Sequence, residues 1–188
     1  MALTTIDPRA ALVVIDLQKG IVSGFGDDSA DAVVRQSAAL AAAFRAHGLP
    51  VLLVNVAGRA PGRTDARSTH APRSLPPGWA DLVDELDRQP SDHLITKHRR
   101  SAFHDTGLDT RLRDLGTTQV VLTGISTSSG VESSARSAAD HGYHVVLAVD
   151  AMTDHDADSH RHSVERVFPK LGETTTTAEI LDMLKATR

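Results

Sequence analysis

The sequence predicts a single α/β domain over residues 1–188, with a three-layer, doubly wound sheet of Rossmann-like form. Its six strands are expected to be mostly parallel. Three observations carry this. Strand-like and helix-like segments alternate along the whole chain, which calls for a sheet covered on both faces by right-handed crossovers. The strand candidates ALVVID and PVLLVNV are continuous apolar runs, the pattern of strands buried on both faces. No internal repeat and no linker divides the 188 residues.

Ala11–Asp16 is the first strand. Asp27–His47 reads as a helix, capped by Asp28 or Ser29, rich in Ala and stopped by Gly48. Pro50–Val56 is the second strand. Ala57–Gly78 has no periodicity and is a long loop, a kind usually functional or mobile. A short helix, Trp79–Leu86, leads to strand three, His93–Lys97. Leu108–Leu115 is a brief helix, Gln119–Ile125 the fourth strand, Gly130–His141 a helix ended by Gly142, and His144–Val149 the fifth strand. Ser159–Leu171 is expected to be helical, Thr174–Thr177 a short edge strand, and Ala178–Ala186 a closing helix.

Composition excludes several functions. The net charge is −4, with both signs interspersed, and there are six aromatic residues, four Phe, one Trp and one Tyr. Neither the charge nor the aromatic content suits a nucleic-acid partner. No apolar run approaches the ~18 residues of a membrane span. MALTTIDPRA lacks the basic and apolar regions of a signal peptide, so a cytoplasmic location is expected. The chain has no cysteine, which rules out disulfides, thiolate metal sites and a thiol nucleophile.

In doubly wound sheets, ligands sit beyond the carboxyl ends of the strands. Three strand ends there carry chemistry: Asp16, Lys97, and the Ser-rich turn from Gly124 to Gly130. That turn presents a residue at a helix start, where nucleophiles are commonly placed, and the residue is glycine. Each feature has a plainer reading alone. Asp16 could cap backbone amides, Lys97 could be solvated, and Gly130 could serve the turn. Gln18, Arg99 and Arg100 are candidates for substrate contact. Ser128 and Ser129 could supply a hydroxyl nucleophile, but no GxSxG elbow is present and Ser at a helix start is ordinarily a cap. His155, His160 and His162, interleaved with Asp154, Asp156 and Asp158, lack HExxH-type spacing. Those acids suit the start of the next helix, and no metal site is expected. His70, His98 and His104 lie near the presumed mouth.

VVIDLQKG (Val13–Gly20), TKHRRSAFHDTGLD (Thr96–Asp109), VLTGISTSSGVESSARSAADHGY (Val121–Tyr143) and VDAMTDHDADSHRHSVE (Val149–Glu165) resemble, in this order, the isochorismatase-like hydrolases, or cysteine hydrolase superfamily. The resemblance covers nearly the whole chain. It implies that Asp16 and Lys97 match the Asp and Lys of the Asp–Lys–Cys triad with which most members hydrolyse amides. The Cys position falls on Gly130. The branch resembling true isochorismatases, which cleave a vinyl ether without a covalent intermediate, also has Gly there. The resemblance further implies a cis peptide at Ile125–Ser126, with Ile125, Ser126 and Ser129 beside the substrate. Metal-dependent nicotinamidase relatives carry a DxH element after the second strand, and NVAGRAPGRTD has none.

The expected activity is therefore metal-free and cofactor-free hydrolysis of an enolpyruvyl ether of a small carboxylated substrate, with Asp16, Lys97 and Gly130 forming the catalytic site. Siderophore or secondary metabolism is the implied setting, and a homodimer or higher homo-oligomer through helices flanking the site is the expected assembly. The Ala-rich segment Ala30–Ala46 would allow close packing there. Two alternatives stay open: a Cys-independent amide or lactam hydrolase, and a non-catalytic small-ligand-binding relative.

Overall fold

Every residue of the first strand, β1 (Ala10–Ile15), is buried, because apolar side chains alternate into two separate cores. Ala10, Leu12 and Val14 enter one, and Ala11, Val13 and Ile15 enter the other. The computed structural model describes residues 3–26, 28–58, 65 and 75–186. After β1 come α1 (Lys19–Val22), α2 (Ser29–Ala46), β2 (Val51–Val56), β3 (His93–Lys97), α3 (Leu108–Asp114), β4 (Gln119–Ile125), α4 (Glu132–Asp140), β5 (His144–Thr153), α5 (Ala157–His162), β6 (Glu173–Thr175) and α6 (Thr177–Ala186).

The six strands form one sheet in the order β3-β2-β1-β4-β5-β6, and every pairing is parallel. Helices α2 and α6 cover one face with Val33, Leu40, Phe44, Ile180 and Leu184. Helices α3 and α4 cover the other with Leu108, Leu112, Ala135 and Ala138. The strand order reverses between β1 and β4, and a doubly wound sheet opens its ligand crevice at that reversal. Asp16 leaves β1 there and the Gly124–Gly130 turn leaves β4 there.

Gly124 is demanded by this closeness. Its φ is +120° and a Cβ would stand 2.0 Å from the Ile15 carbonyl oxygen. Far from the site, Arg45 at the end of α2 donates two bonds, at 3.0 and 2.7 Å, to the Asp92 carboxylate. This planar pairing ties the helix to the entrance of β3.

Several sequence expectations need correction. The segment 79–86 is not a helix; only a 3₁₀ turn forms at Asp84–Leu86. The backbone before it is drawn into pairing with the start of α1: Lys19 N–H donates to Asp81 O, Gly20 N–H to Trp79 O, and Leu82 bridges Gln18. The helix expected from Gly130 starts earlier, as a π-helical turn at Thr127–Val131 that runs into α4. β5 continues to Thr153 through an irregularity in its pairing with β4. The helical stretch expected at 159–171 is broken into α5, a π-helical turn (Ser163–Val167) and a 3₁₀ turn (Phe168–Lys170). Most of the long loop, with His70, lies outside the described residues.

Candidate active site

Asp16 takes a φ of +53°, a left-handed backbone that costs a non-glycine residue about 1–3 kcal/mol. Its N–H donates to Val54 O, and its carbonyl accepts from Gln18 N–H, which fixes the turn. The side chain stays inside the protein, where Asp16 is 4% and Lys97 2% exposed. Lys97 Nζ lies 2.7 Å from Asp16 Oδ2 and also donates to Arg99 O at 3.1 Å. Asp16 Oδ1, equally buried, has no hydrogen-bond partner among the described residues.

That orphaned oxygen is chemically informative. Burial raises the Asp16 pKa to about 6, and the Lys97 charge and hydrogen bond only partly counteract it. A carboxyl so placed can hold a proton near neutral pH and deliver it.

Gly130 completes the group. A Cβ on it would stand 3.1 Å from Ile15 Cγ2, 3.2 Å from Asp16 Oδ2 and 3.5 Å from Ile125 O. The position thus faces the acid directly, with no side chain between them. Ile125 is buried and joined to Ser126 by a cis peptide, and Ser126 O accepts from the N–H groups of Ser129 and Val131. The fold therefore brings Asp16, Lys97, Gly130 and Ile125 together, with half-buried Ser126 and Ser129 on the same turn.

The remaining candidates fall elsewhere. Gln18 is fully buried and its amide is taken up by backbone: Oε1 accepts from Val56 N–H, and Nε2 donates to Val56 O and Trp79 O. It braces β2 against the Trp79 segment. Arg99 is half-buried and donates to His98 O; its carbonyl is what holds Lys97. Arg100 and His98 are exposed, and His104 pairs with Asp105 at 3.2 Å.

The His/Asp segment after β5 braces the site. Asp154 accepts from both the N–H and the hydroxyl of Ser128, and Asp156 caps α5 by accepting from Asp158 N–H. His160 Nδ1 meets the buried Thr127 hydroxyl at 2.9 Å; burial pulls its pKa down against the pull of Asp154. His155 stacks on Phe25. No group of three His, Asp or Glu side chains is arranged to hold a metal among the described residues. Sequence reasoning missed the Arg99 carbonyl and the Thr127–His160 and Ser128–Asp154 contacts. Ser128 four residues after Gly124, inside a Ser-rich turn, was the one signal available for them.

Residues 10–179 match the isochorismatase domain. The chain belongs to the isochorismatase family. An uncharacterized isochorismatase family protein, YecD, of Escherichia coli O157:H7 is 40% identical over 93% of this chain and 95% of its own length. The structure of an isochorismatase family protein from Burkholderia thailandensis superposes with a TM-score of 0.90 at 40% identity, covering 96% of this chain and 98% of the other. Two relatives with named roles match less closely. Streptothricin hydrolase of Streptomyces noursei is 34% identical, and the match covers 80% of this chain and 57% of that protein. Enterobactin synthase component B of Escherichia coli (strain K12) is 28% identical, covering 92% of this chain and 62% of that protein. The doubly wound fold of this isochorismatase-family hydrolase agrees with the one its sequence predicts.

Proposed function

We propose that the protein hydrolyses the vinyl ether bond of a small enolpyruvyl substrate, with Asp16 as general acid and no covalent intermediate. The observation that carries this is a buried carboxyl raised to about 6, facing a glycine, in a chain without cysteine. In the first step the Asp16 carboxyl gives its proton to the terminal carbon of the enol ether, leaving an oxocarbenium ion. Water adds to that ion and its proton returns to the Asp16 carboxylate, and the hemiketal then breaks its C–O bond to give pyruvate and an alcohol. Lys97 holds Asp16 in place and offsets the negative charge left on it. Gly130 keeps any side chain from standing between the turn and the acid, where even a Cβ would crowd Ile15 and Asp16. The likeness to enterobactin synthase component B supports a siderophore or secondary-metabolic setting.

A second reading, C–N hydrolysis with water as nucleophile, draws support from the likeness to streptothricin hydrolase. The two differ in their products. Incubation with isochorismate and simpler enolpyruvyl ethers should release pyruvate, whereas amide and lactam substrates should release no amine. Turnover should fall about tenfold for each pH unit above about 6, as Asp16 loses its proton. Amine release without pyruvate, or a rate rising through that range, would reverse the assignment.

A further inference from the structure

Ser134, one turn beyond Gly130 on α4, is fully buried. Its hydroxyl donates to Gly130 O at 2.7 Å and accepts from Ala102 N–H at 2.9 Å. A hydroxyl carries one proton and two lone pairs, so both bonds form at once. A helical serine commonly bonds back to the carbonyl four residues earlier; the second bond is the unusual one. Ala102 is itself fully buried, so its N–H has no water to turn to.

These two bonds join the halves of the site. Gly130 is the residue that faces Asp16. Ala102 lies in the loop that leaves β3 immediately after Lys97, and the same loop supplies, at Arg99 O, the second acceptor of the Lys97 ammonium. One turn further along α4, Ser137 meets Ser101 at 2.8 Å, but that pair is only half-buried and does not reach Gly130.

We propose that Ser134 is a positioning residue of this site: its hydroxyl sets the spacing between the Gly130 turn and the loop that holds Lys97, and so sets the grip of Lys97 on Asp16. The proposal rests on the reading of Asp16 as the proton donor. Among the described residues, Lys97 of β3 is the charged group acting on the Asp16 carboxyl. The other contacts of the Gly130 position, Ile15 and the Ile125 carbonyl, do not titrate.

The test is the titration of Asp16 in the full-length protein, without substrate. Aspartate carboxyls are labelled with carbon-13, and the Asp16 signal is assigned with Asp16→Asn. Because Lys97 lowers the Asp16 pKa, loosening Lys97 in Ser134→Ala should move the midpoint upward by about half a pH unit or more. Ser134→Thr, which keeps the hydroxyl, and Ser137→Ala should titrate as the wild type does. Should the alanine variant fail to fold, Ser134→Cys, a weaker donor of similar shape, should shift in the same direction. A native Ser134→Ala or Ser134→Cys protein with an unshifted midpoint would overturn the proposal. So would a Ser134→Thr shift as large as that of alanine, since packing rather than the hydroxyl would then be responsible. The midpoint is read whether or not an enolpyruvyl ether is cleaved, so failure of the functional reading and failure of this one are separately visible.

Discussion

Replacing Lys97 with methionine should make the protein's stability fall with rising pH far more steeply than in the wild type. The two charged ends lie 2.7 Å apart and both residues are buried. A carboxyl whose pKa is raised in the folded state contributes stability that is fully present below its unfolded pKa and lost as pH rises through its folded pKa. In the wild type that loss is complete just above pH 6. Without Lys97 the folded pKa climbs further, because burial is left unopposed. An adjacent opposite charge is typically worth about 1–3 pKa units, and each unit corresponds to about 1.4 kcal/mol. Taking the middle of that range, Lys97→Met should lose about 2 kcal/mol more than the wild type between pH 5 and pH 8, since Asp16 is then still half protonated at pH 8. Urea unfolding at the two pH values measures this. The double variant Asp16→Asn/Lys97→Met should lack the extra slope, since no ionisable group remains in the pair. An equal destabilisation by Lys97→Met at pH 5 and pH 8 would refute the reasoning and mean that Asp16 is not titrating against Lys97.

Gly130→Ala and Gly130→Cys should each lower turnover at least tenfold, because the new Cβ presses on Ile15 and on Asp16 Oδ2; steady-state rates at a fixed pH decide it. Ser128→Ala and Ser129→Ala should leave turnover within about threefold of wild type, since Asp154 still accepts the Ser128 N–H. A loss as large as that of Asp16→Asn would revive the serine nucleophile. Light scattering at micromolar concentration should give a dimer, and a mass near 20.0 kDa would count against it.

The parts of the fold that could be read from the sequence are those with a one-dimensional signature. β4 and β3 have the predicted limits, and β1 lies within one residue of them at each end. Where the deciding interaction is tertiary, the pattern misleads. Trp79 lies over Gly20, where a Cβ would fall 2.0 Å from its ring, and this docking, not helical periodicity, shapes the 79–83 segment. The π-helical turn at Thr127–Val131 differs from an α turn by one residue in each hydrogen bond, and composition carries no mark of that. β5 runs past Val149 because Asp150 is used inside the fold, accepting from the N–H and hydroxyl of Thr177. The meeting of Asp16, Lys97 and Gly130 was legible because each ends or follows a strand at the carboxyl edge of the sheet. Gln18 looked like a substrate contact because a polar residue two places beyond the acid gives no hint that backbone will absorb its amide. Ser134 is a small residue inside a helix, and its second bond comes from a loop 32 residues earlier, so nothing local could reveal it. α2 spends Ala30, Ala41, Leu40 and Phe44 on the chain's own core, leaving Ala39, Ala42 and Ala46 exposed.

The proposed function requires Asp16 to protonate carbon. Turnover of an enolpyruvyl ether by the wild type and by Asp16→Asn, each compared in light and deuterated water at matched points of the pH profile, measures it. Proton transfer to carbon in the rate-limiting step should make wild-type turnover slower in deuterated water, and Asp16→Asn, whose amide cannot deliver the proton, should lose about 100- to 10,000-fold in rate. An Asp16→Asn enzyme working at wild-type speed, or wild-type rates equal in the two solvents, would contradict it.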